Sequence, residues 1–228
     1  MTIRWKDERQ SVVTAAQEMA SLGLTVGTSG NVSLRVSSDD MGEPDRVLVA
    51  ITPTGVSYAE MTPQDIVVVD LDVNPVDGEG IPSSETLLHT EIYRRRADAG
   101  AVIHTHSVFA SVAAVMGLEM PPIIDEAIIS IGGPVKVSEY AFPGSQELAD
   151  NVCAALEGRN AAIIRNHGAV CVGEDLREAL NVCVMLERLA QIYYYASMSG
   201  KVTTLPADVV EAEVAIFEMR RQARLNRS

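Results

Sequence analysis

Residues 83–106 read SSETLLHTEIYRRRADAGAVIHTH, and this stretch carries three of the four histidines in the chain. Residues 101–103 are apolar and run directly into His104 and His106, which predicts a strand. Successive side chains of a strand point to opposite faces, so the two histidines are expected on the same face. That spacing suits two ligands of one metal ion.

The segment before this strand, residues 85–97, places apolar residues such as Leu88 and Ile92 among charged ones. This helical recurrence predicts a helix that packs beside the strand. Glu85 is then expected in the first turn of the helix, where its carboxylate can face the histidine pair. His89 follows four residues later on the same helical face. It competes as a ligand, although packing, or orienting another ligand, is the role we favour.

Two further residues strengthen the case for a metal site. His167 lies in a second strand-like passage, residues 163–168, and Glu85 supplies a carboxylate beside the imidazoles of His104 and His106. Zinc accepts this mixture of nitrogen and oxygen ligands in tetrahedral sites. Two histidines at this spacing are also common as ordinary polar residues on one side of a half-buried strand. The pair alone leaves that alternative open.

Three loops combine glycines with small hydroxyl or amide side chains. Residues 27–33 read GTSGNVS, residues 52–55 read TPTG, and Ser83 and Ser84 precede the predicted helix. Glycines let a backbone approach an anion closely, hydroxyl and main-chain N–H groups donate to it, and a helix N-terminus favours negative charge. The loops are candidate walls of one anion site. For the first loop, an ordinary turn between a helix and a strand is an equally good explanation.

The composition of the whole chain limits its fold and its partners. The 228 residues are 47% hydrophobic and contain no Pro/Gly/Ser-rich linker, which predicts one domain over residues 1–228. A formal net charge of −13 disfavours nucleic-acid and anionic-membrane partners, since those surfaces are bound through basic patches. No apolar leader or membrane-spanning run is present, so we expect a cytoplasmic protein. Three cysteines without a CxxC motif predict neither a disulfide framework nor a thiolate metal site.

Helices and strands alternate irregularly along the rest of the chain. Helices are predicted over residues 8–22, 108–116, 146–156 and 176–196 and from residue 208, and strands over residues 46–51 and 66–73. Residues 121–143 are expected to be strand and loop. Several neighbouring strands are close enough for hairpins, which predicts an α/β fold whose largely antiparallel sheet is covered by helices.

Five motifs in order resemble the class II sugar-phosphate aldolase/epimerase family, and within it most closely the branch that cleaves L-fuculose 1-phosphate. The motifs are residues 27–33, 52–55, 83–85, 104–106 and 166–168. The resemblance covers nearly the whole chain. It implies a three-layer α/β/α fold with a central, mainly antiparallel sheet, one zinc ion per subunit, and a homotetramer whose active sites lie between neighbouring subunits.

The resemblance also assigns roles to individual residues. It implies that the zinc ligands are Glu85, His104, His106 and His167. It implies that the substrate phosphate is held by Gly30, Asn31, Thr54, Gly55, Ser83 and Ser84. It implies in addition that Glu85 is the acid/base that moves protons at carbon. The implied reaction cleaves a ketose 1-phosphate, such as L-fuculose 1-phosphate, to dihydroxyacetone phosphate and an aldehyde, with zinc as the Lewis acid in place of a lysine Schiff base.

The chain departs from the aldolase branch at two places. That branch has a tyrosine ahead of a double glycine and another in its C-terminal tail, whereas residues 124–127 read IDEA and residues 217–228 contain no tyrosine. A different deoxyketose phosphate, or a changed proton donor, is therefore expected. A dehydratase of a methylthio- or deoxy-pentulose 1-phosphate is the second interpretation, and an adducin-head-like interaction domain is the non-enzymatic one. Glu85 argues against a sugar-phosphate 4-epimerase, whose pattern has aspartate after the serine pair.

Overall fold

The computed structural model describes residues 3–43 and 46–225; the rest of the predicted 1–228 domain lies outside the described residues. Its strands are β1 (Asn31–Val36), β2 (Leu48–Ile51), β3 (Val67–Asp70), β4 (Pro75–Asp77), β5 (Ala101–Thr105), β6 (Ala161–Ile164) and β7 (Gly168–Gly173). Its α-helices are α1 (Lys6–Ser21), α2 (Thr86–Arg95), α3 (Val108–Met116), α4 (Asp125–Ile131), α5 (Gln146–Ala155), α6 (Leu176–Met198) and α7 (Ala207–Leu225). None of these described helices combines the length and the apolar character needed to cross a bilayer.

The seven strands form one sheet in the order β4-β3-β2-β1-β5-β7-β6, and every neighbouring pair is antiparallel. In the middle of the sheet β1 lies beside β5, with Asn31 opposite His104. On the other side of β5 lies β7, with Ala169 opposite Thr105. The start of β1, the end of β5 and the start of β7 therefore lie side by side at the same end of these three strands. The prediction of an antiparallel sheet is confirmed.

The strands supply apolar side chains to two separate cores. On one face of the sheet, residues such as Val32 and Ile103 pack with α1, α3, α4 and α6. On the other face, residues such as Val102 and Val170 pack with α2 and α5. Strands that are buried on both faces are apolar throughout rather than alternating, as residues 101–103 are. The expected three-layer α/β/α architecture is confirmed.

Two predictions of secondary structure are wrong. Residues 121–143 were expected to be strand and loop, but they contain the helix α4, whose buried face of Ala127, Ile128 and Ile131 is too short for the helical period to stand out. The edge strand β4 was not predicted, because its three residues begin with a proline, which is more typical of turns.

Two predicted positions in the site also differ in detail. His167 lies in the tight turn between β6 and β7 rather than in a strand. Asn166 makes this turn possible with a φ of 55°, a left-handed conformation that asparagine tolerates better than most residues. Glu85 occupies the position just before α2, with φ −106° and ψ 15°, rather than the first helical turn.

Candidate metal centre

Strand β5 carries the first two imidazoles of a cluster that lies where β1, β5 and β7 meet. His104 is fully buried at the end of the strand, and His106 follows two residues later, so both rings lie on the same side, with their Nε2 atoms 2.8 Å apart. The Nδ1 of His104 lies 2.8 Å from the carbonyl oxygen of Ala169 in β7. An Nδ1–H that donates to this carbonyl fixes the ring orientation and leaves Nε2 facing the cluster. The expected pairing of His104 and His106 is observed.

His167 supplies the third imidazole from the β6–β7 turn. Its ring centroid lies 4.9 Å from the centroids of both His104 and His106, and all three rings are roughly perpendicular to one another. The backbone N–H of His167 donates to the carbonyl oxygen of Ile164, which closes the turn. The hairpin therefore brings a histidine that is 61 residues distant in sequence from His106 to the same point.

Glu85 completes the cluster from the start of α2. Its Oε2 lies 3.0 Å from Nε2 of His104, and its Oε1 lies 3.4 Å from Nε2 of His167. Asn31 donates to Oε2 through its amide nitrogen at 3.1 Å. The other oxygen, Oε1, is buried and accepts no hydrogen bond from any residue that the structure describes. A buried carboxylate oxygen without a donor is costly unless a cation satisfies it.

The donor set fits a divalent metal ion. One ligand atom from each of the four side chains lies within 4.8 Å of all the others. Three imidazole nitrogens and one carboxylate oxygen are ligands that zinc and related transition metals accept. The orphaned Oε1 of Glu85 is the group that such an ion would satisfy. The predicted metal cluster is thus present as a geometric arrangement in the structure.

The cluster shifts the protonation of its own members. Burial raises the pKa of Glu85, but His104, His167 and the hydrogen bond from Asn31 outweigh it and hold that pKa well below its usual range. Burial, followed by the charges of His104 and His167, lowers the pKa of His106 to about 4. Burial and His104 likewise lower the pKa of His167. Ionised carboxylate and neutral imidazole are the forms that bind metal ions.

Glycines give the backbone room at two places around the cluster. At Gly168 an added Cβ would lie 2.3 Å from the carbonyl oxygen of Thr105 and 3.3–3.4 Å from the rings of His104 and His106. At Gly30, whose φ is +74°, an added Cβ would lie 2.6 Å from the carbonyl oxygen of His104. Only glycine allows β1 and β7 to approach β5 this closely.

The three glycine- and hydroxyl-bearing loops converge beside the cluster. The backbone N–H of Ser83 donates to the carbonyl oxygen of Thr52 at 3.2 Å, and that of Thr54 donates to Ile81 at 2.9 Å, so the second and third loops run side by side. Asn31 in the first loop donates to Oγ of Ser83 at 2.9 Å. The predicted Gly30, Thr54, Gly55, Ser83 and Ser84 are partly or fully exposed around this junction, and Asn31 is buried.

Sequence reasoning missed three residues that hold the site together. Tyr58 donates its hydroxyl to the carbonyl oxygens of Ser29 and Gly30 at 3.0 and 2.7 Å, which fixes the first loop. Two more lie behind the cluster: Ser33 contacts both Tyr93 and His89. For these two the spacing was a usable signal, because Ser33 lies two residues after Asn31 and Tyr93 four residues after His89.

The three-layer fold gathers three imidazoles and a carboxylate at one end of an antiparallel sheet, where they could hold a metal ion. Residues 10–194 match the family described as Class II Aldolase and Adducin N-terminal domain, and the chain therefore belongs to this family.

The relatives and solved structures agree with this family. The chain is 36% identical to a 5-deoxy-D-ribulose 1-phosphate aldolase of Bacillus thuringiensis serovar kurstaki over 92% of this chain and 95% of the relative. It is 33% identical to a 5-methylthioribulose-1-phosphate/5-deoxyribulose-1-phosphate aldolase of Rhodospirillum rubrum over 92% and 90%. A solved L-fuculose 1-phosphate aldolase superimposes with a TM-score of 0.86 at 34% identity, covering 95% of this chain and 98% of that chain. The prediction of a class II aldolase enzyme is confirmed.

Proposed function

We propose that this chain is a zinc-dependent aldolase that cleaves a ketose 1-phosphate to dihydroxyacetone phosphate and an aldehyde. The observation that carries the proposal is the convergence of Glu85, His104, His106 and His167 on one point. Asn31 ties this cluster to the loops, since its amide donates to both Glu85 and Ser83. A metal site and an anion site that share a hydrogen-bonding residue suit a substrate with a carbonyl and a phosphate a few atoms apart.

The chemistry divides between the metal ion and Glu85. A zinc ion held by the three histidines would act as a Lewis acid toward the carbonyl and hydroxyl oxygens of the substrate. Glu85 moves the proton at carbon. Its low pKa keeps it ionised and therefore able to accept a proton. As the bond between carbons 3 and 4 breaks, the hydroxyl on carbon 4 loses its proton, which Glu85 takes up and then returns to carbon 3 of the phosphate-bearing fragment.

The phosphate is held mainly by neutral groups. Asn31 and Ser83 are already aligned by their mutual hydrogen bond. Helix α2 begins at Thr86, two residues after Ser84, and the dipole of a helix favours an anion near its N-terminus. We propose that the phosphate-binding residues are Gly30, Asn31, Thr54, Gly55, Ser83 and Ser84.

The aldehyde end of the substrate is proposed to be small and deoxygenated at its terminus. Relatives are named for 5-deoxyribulose 1-phosphate and 5-methylthioribulose 1-phosphate, and a solved neighbour is named for L-fuculose 1-phosphate. These sugars end in a methyl or methylthiomethyl group. Cleavage between carbons 3 and 4 of 5-deoxyribulose 1-phosphate releases acetaldehyde, whereas L-fuculose 1-phosphate releases lactaldehyde. The chain lacks tyrosines at the two positions where the resemblance leads one to expect them, which favours the aldehyde without an additional hydroxyl.

The test is product analysis with purified, zinc-loaded protein. Each ketose 1-phosphate is incubated with the protein, and dihydroxyacetone phosphate is measured by its coupled reduction with NADH. A chelator-treated sample is the control. We expect release of dihydroxyacetone phosphate from 5-deoxyribulose 1-phosphate, and more slowly from L-fuculose 1-phosphate. A dehydratase would instead consume a substrate without shortening its carbon chain, and an epimerase would interconvert two ketose phosphates. Either result contradicts the proposal.

The assembly and the location follow the family resemblance. We propose a homotetramer with one zinc per subunit and active sites between subunits, formed by a single domain in the cytoplasm. The support is an apolar surface on α3, which begins two residues after His106, and on the neighbouring α6: Val115, Met116, Tyr195 and Met198 are 54–70% exposed. Surfaces of this kind often mark interfaces.

The free cysteines agree with a reducing compartment. The charge of −13 agrees with a small-molecule substrate rather than nucleic acid or membrane.

A further inference from the structure

Five polar side chains form one hydrogen-bonded row behind the metal cluster. Strand β1 contributes Asn31 and Ser33, while the segment that leads into α2 and the helix itself contribute Glu85, His89 and Tyr93. Two residues of a strand advance about 6.6 Å, and four residues of a helix advance about 6 Å. Every second residue of β1 therefore lies beside every fourth residue of this segment. Asn31 contacts Glu85 and His89, and Ser33 contacts His89 and Tyr93.

The direction of every hydrogen bond in the row is fixed by its first member. Both N–H bonds of the Asn31 amide are used, one toward Oγ of Ser83 at 2.9 Å and one toward Oε2 of Glu85 at 3.1 Å. The amide oxygen of Asn31 therefore faces Nε2 of His89, with which it is in hydrogen-bonding contact. Because an amide oxygen only accepts, the ring proton of His89 is on Nε2.

The same reasoning continues away from the site. With its proton on Nε2, neutral His89 accepts at Nδ1, and Oγ of Ser33 lies 2.6 Å from that atom. Ser33 has a single hydroxyl proton, so it accepts from the hydroxyl of Tyr93 at 2.9 Å. Each donor in the row thus points toward Glu85 and Ser83.

The row is closed to solvent. His89 and Ser33 are 0% exposed, and Tyr93 is 2% exposed. Burial, followed by the charge of His104, lowers the pKa of His89 to about 3, so its imidazole is neutral near pH 7. With Asn31 in this orientation, a His89 ring that carried its proton on Nδ1 would place two acceptors, its Nε2 and the amide oxygen of Asn31, in contact.

We propose that His89 is a positioning residue that holds the amide of Asn31 with its N–H groups toward Glu85 and Ser83, and that the hydroxyl of Ser33, which accepts from Tyr93, supports this role by donating to the unprotonated Nδ1 of His89. If His89 carried its proton on Nδ1, the Asn31 amide would turn, and its oxygen would oppose the carboxylate of Glu85. The row therefore couples the phosphate loop to the proton-transferring carboxylate. The coupling rests on the proposed function, whereas the tautomer of His89 does not.

The tautomer is measured directly by NMR of the parent protein labelled with ¹⁵N-histidine. The chain has four histidines, and three of them are proposed metal ligands, so the His89→Gln variant assigns the remaining signal. We expect His89 to be neutral, with its proton on Nε2, at pH 7 and in both the zinc-loaded and the chelator-treated protein. A proton on Nδ1, or a doubly protonated ring, overturns the proposal whether or not the protein cleaves a sugar phosphate.

Paired variants test what the tautomer does. The amide nitrogen of glutamine can replace Nε2 of His89 as the donor to Asn31, whereas asparagine is too short to reach it. We expect His89→Asn to lower kcat by about 10- to 100-fold, and His89→Gln to recover most of that loss. Tyr93→Phe removes only the hydroxyl and is expected to lower kcat less than His89→Asn does. Thr90→Ala is the matched control, because the Thr90 hydroxyl is buried in the same helix but donates only to the carbonyl oxygen of Leu87.

The kinetic result separates positioning from a merely structural role. A purely structural His89 predicts that the glutamine and asparagine variants lose activity together, in proportion to their loss of thermal stability. Positioning predicts that activity follows the restored donor and not stability. Equal kcat values for the two His89 variants at matched zinc content overturn the kinetic part of the proposal. If no variant or parent releases dihydroxyacetone phosphate from any ketose 1-phosphate, the proposed function has failed, and the NMR measurement still decides the tautomer.

Discussion

Replacing Gly168 by alanine is expected to disturb the metal centre more than it disturbs the fold. The new Cβ would lie 2.3 Å from the carbonyl oxygen of Thr105, and 3.3 and 3.4 Å from carbon atoms of the His104 and His106 rings. No positive φ is involved, so the effect comes from contact alone. Overpacking of this kind costs about 1–3 kcal/mol. To relieve it, β7 has to move away from β5, and the rings of His104 and His106 have to shift with it.

The far end of the same strand provides a matched control. An alanine at Gly173 would place its Cβ 2.4 Å from the backbone nitrogen of Ala179, a clash of similar severity. Gly173 pairs with Ala101, at the opposite end of β5 from the histidines. The two variants should therefore lose a similar amount of stability, about 1–3 kcal/mol each, for different reasons.

Two assays distinguish the variants. Urea unfolding of the chelator-treated proteins gives the free energy of unfolding, and competition with a chromophoric chelator gives the zinc affinity. We expect Gly168→Ala to weaken zinc binding by about 10- to 100-fold, the usual effect of disturbing the groups around metal ligands. Gly173→Ala should bind zinc as the parent does. Parental zinc affinity in a folded Gly168→Ala protein, or an equal loss in both variants, would refute the reasoning.

Three further predictions concern the metal, the phosphate and pH. The parent should hold about one zinc per chain, and the double variant His104→Ala/His106→Ala should hold much less by metal analysis; undiminished zinc in a folded variant contradicts the site. The double variant Ser83→Ala/Ser84→Ala should bind 2-phosphoglycolate on the order of 10²- to 10⁴-fold more weakly, since each lost hydrogen bond to a charged group costs about 1.5–3 kcal/mol, while its zinc content stays parental; unchanged inhibitor affinity removes the serines from the site. In the chelator-treated protein the pKa of His89 is lowered to about 3 and that of His106 to about 4, so the unfolded chain takes up protons below about pH 6.5 that the folded chain does not. The urea midpoint should therefore fall as the pH is lowered from 7 toward 4, and an unchanged midpoint contradicts the assigned burial.

The sequence predicted the elements that carry strong periodicity. The predicted helix over residues 108–116 matches α3 exactly, and the apolar run before the HxH pair is β5. Strand β5 is fully buried, so its run of apolar residues reflects the packing directly, and α3 ends at Gly117, a typical helix stop. The short elements contain too few residues to show a periodic pattern of apolar side chains. The seven-residue α4 lies between prolines and a pair of glycines, and the three-residue β4 begins with a proline.

The sequence predicted which residues form the candidate site but not how the fold brings them together. The residue types and their order named all four members of the cluster, but the sequence did not show that His167 reaches it through a turn. That position depends on the left-handed conformation of Asn166. The sequence limited the expected role of His89 to packing or to orienting another ligand. Its contact with Asn31 depends on which face of α2 lies over β1, and that is set by the core in which Leu88 and Ile92 pack.

The measurement that tests the central claim most directly is exchange of the carbon-bound proton of dihydroxyacetone phosphate with deuterated water. It isolates the proton transfer assigned to Glu85 from cleavage and from the identity of the aldehyde. Glu85→Gln keeps the size of the side chain and one ligand oxygen but cannot accept the proton. At parental zinc content, the variant is predicted to exchange about 10²- to 10⁴-fold more slowly than the parent, the usual size of a general acid/base contribution. Exchange at the parental rate would show that another group moves the proton and would contradict the account.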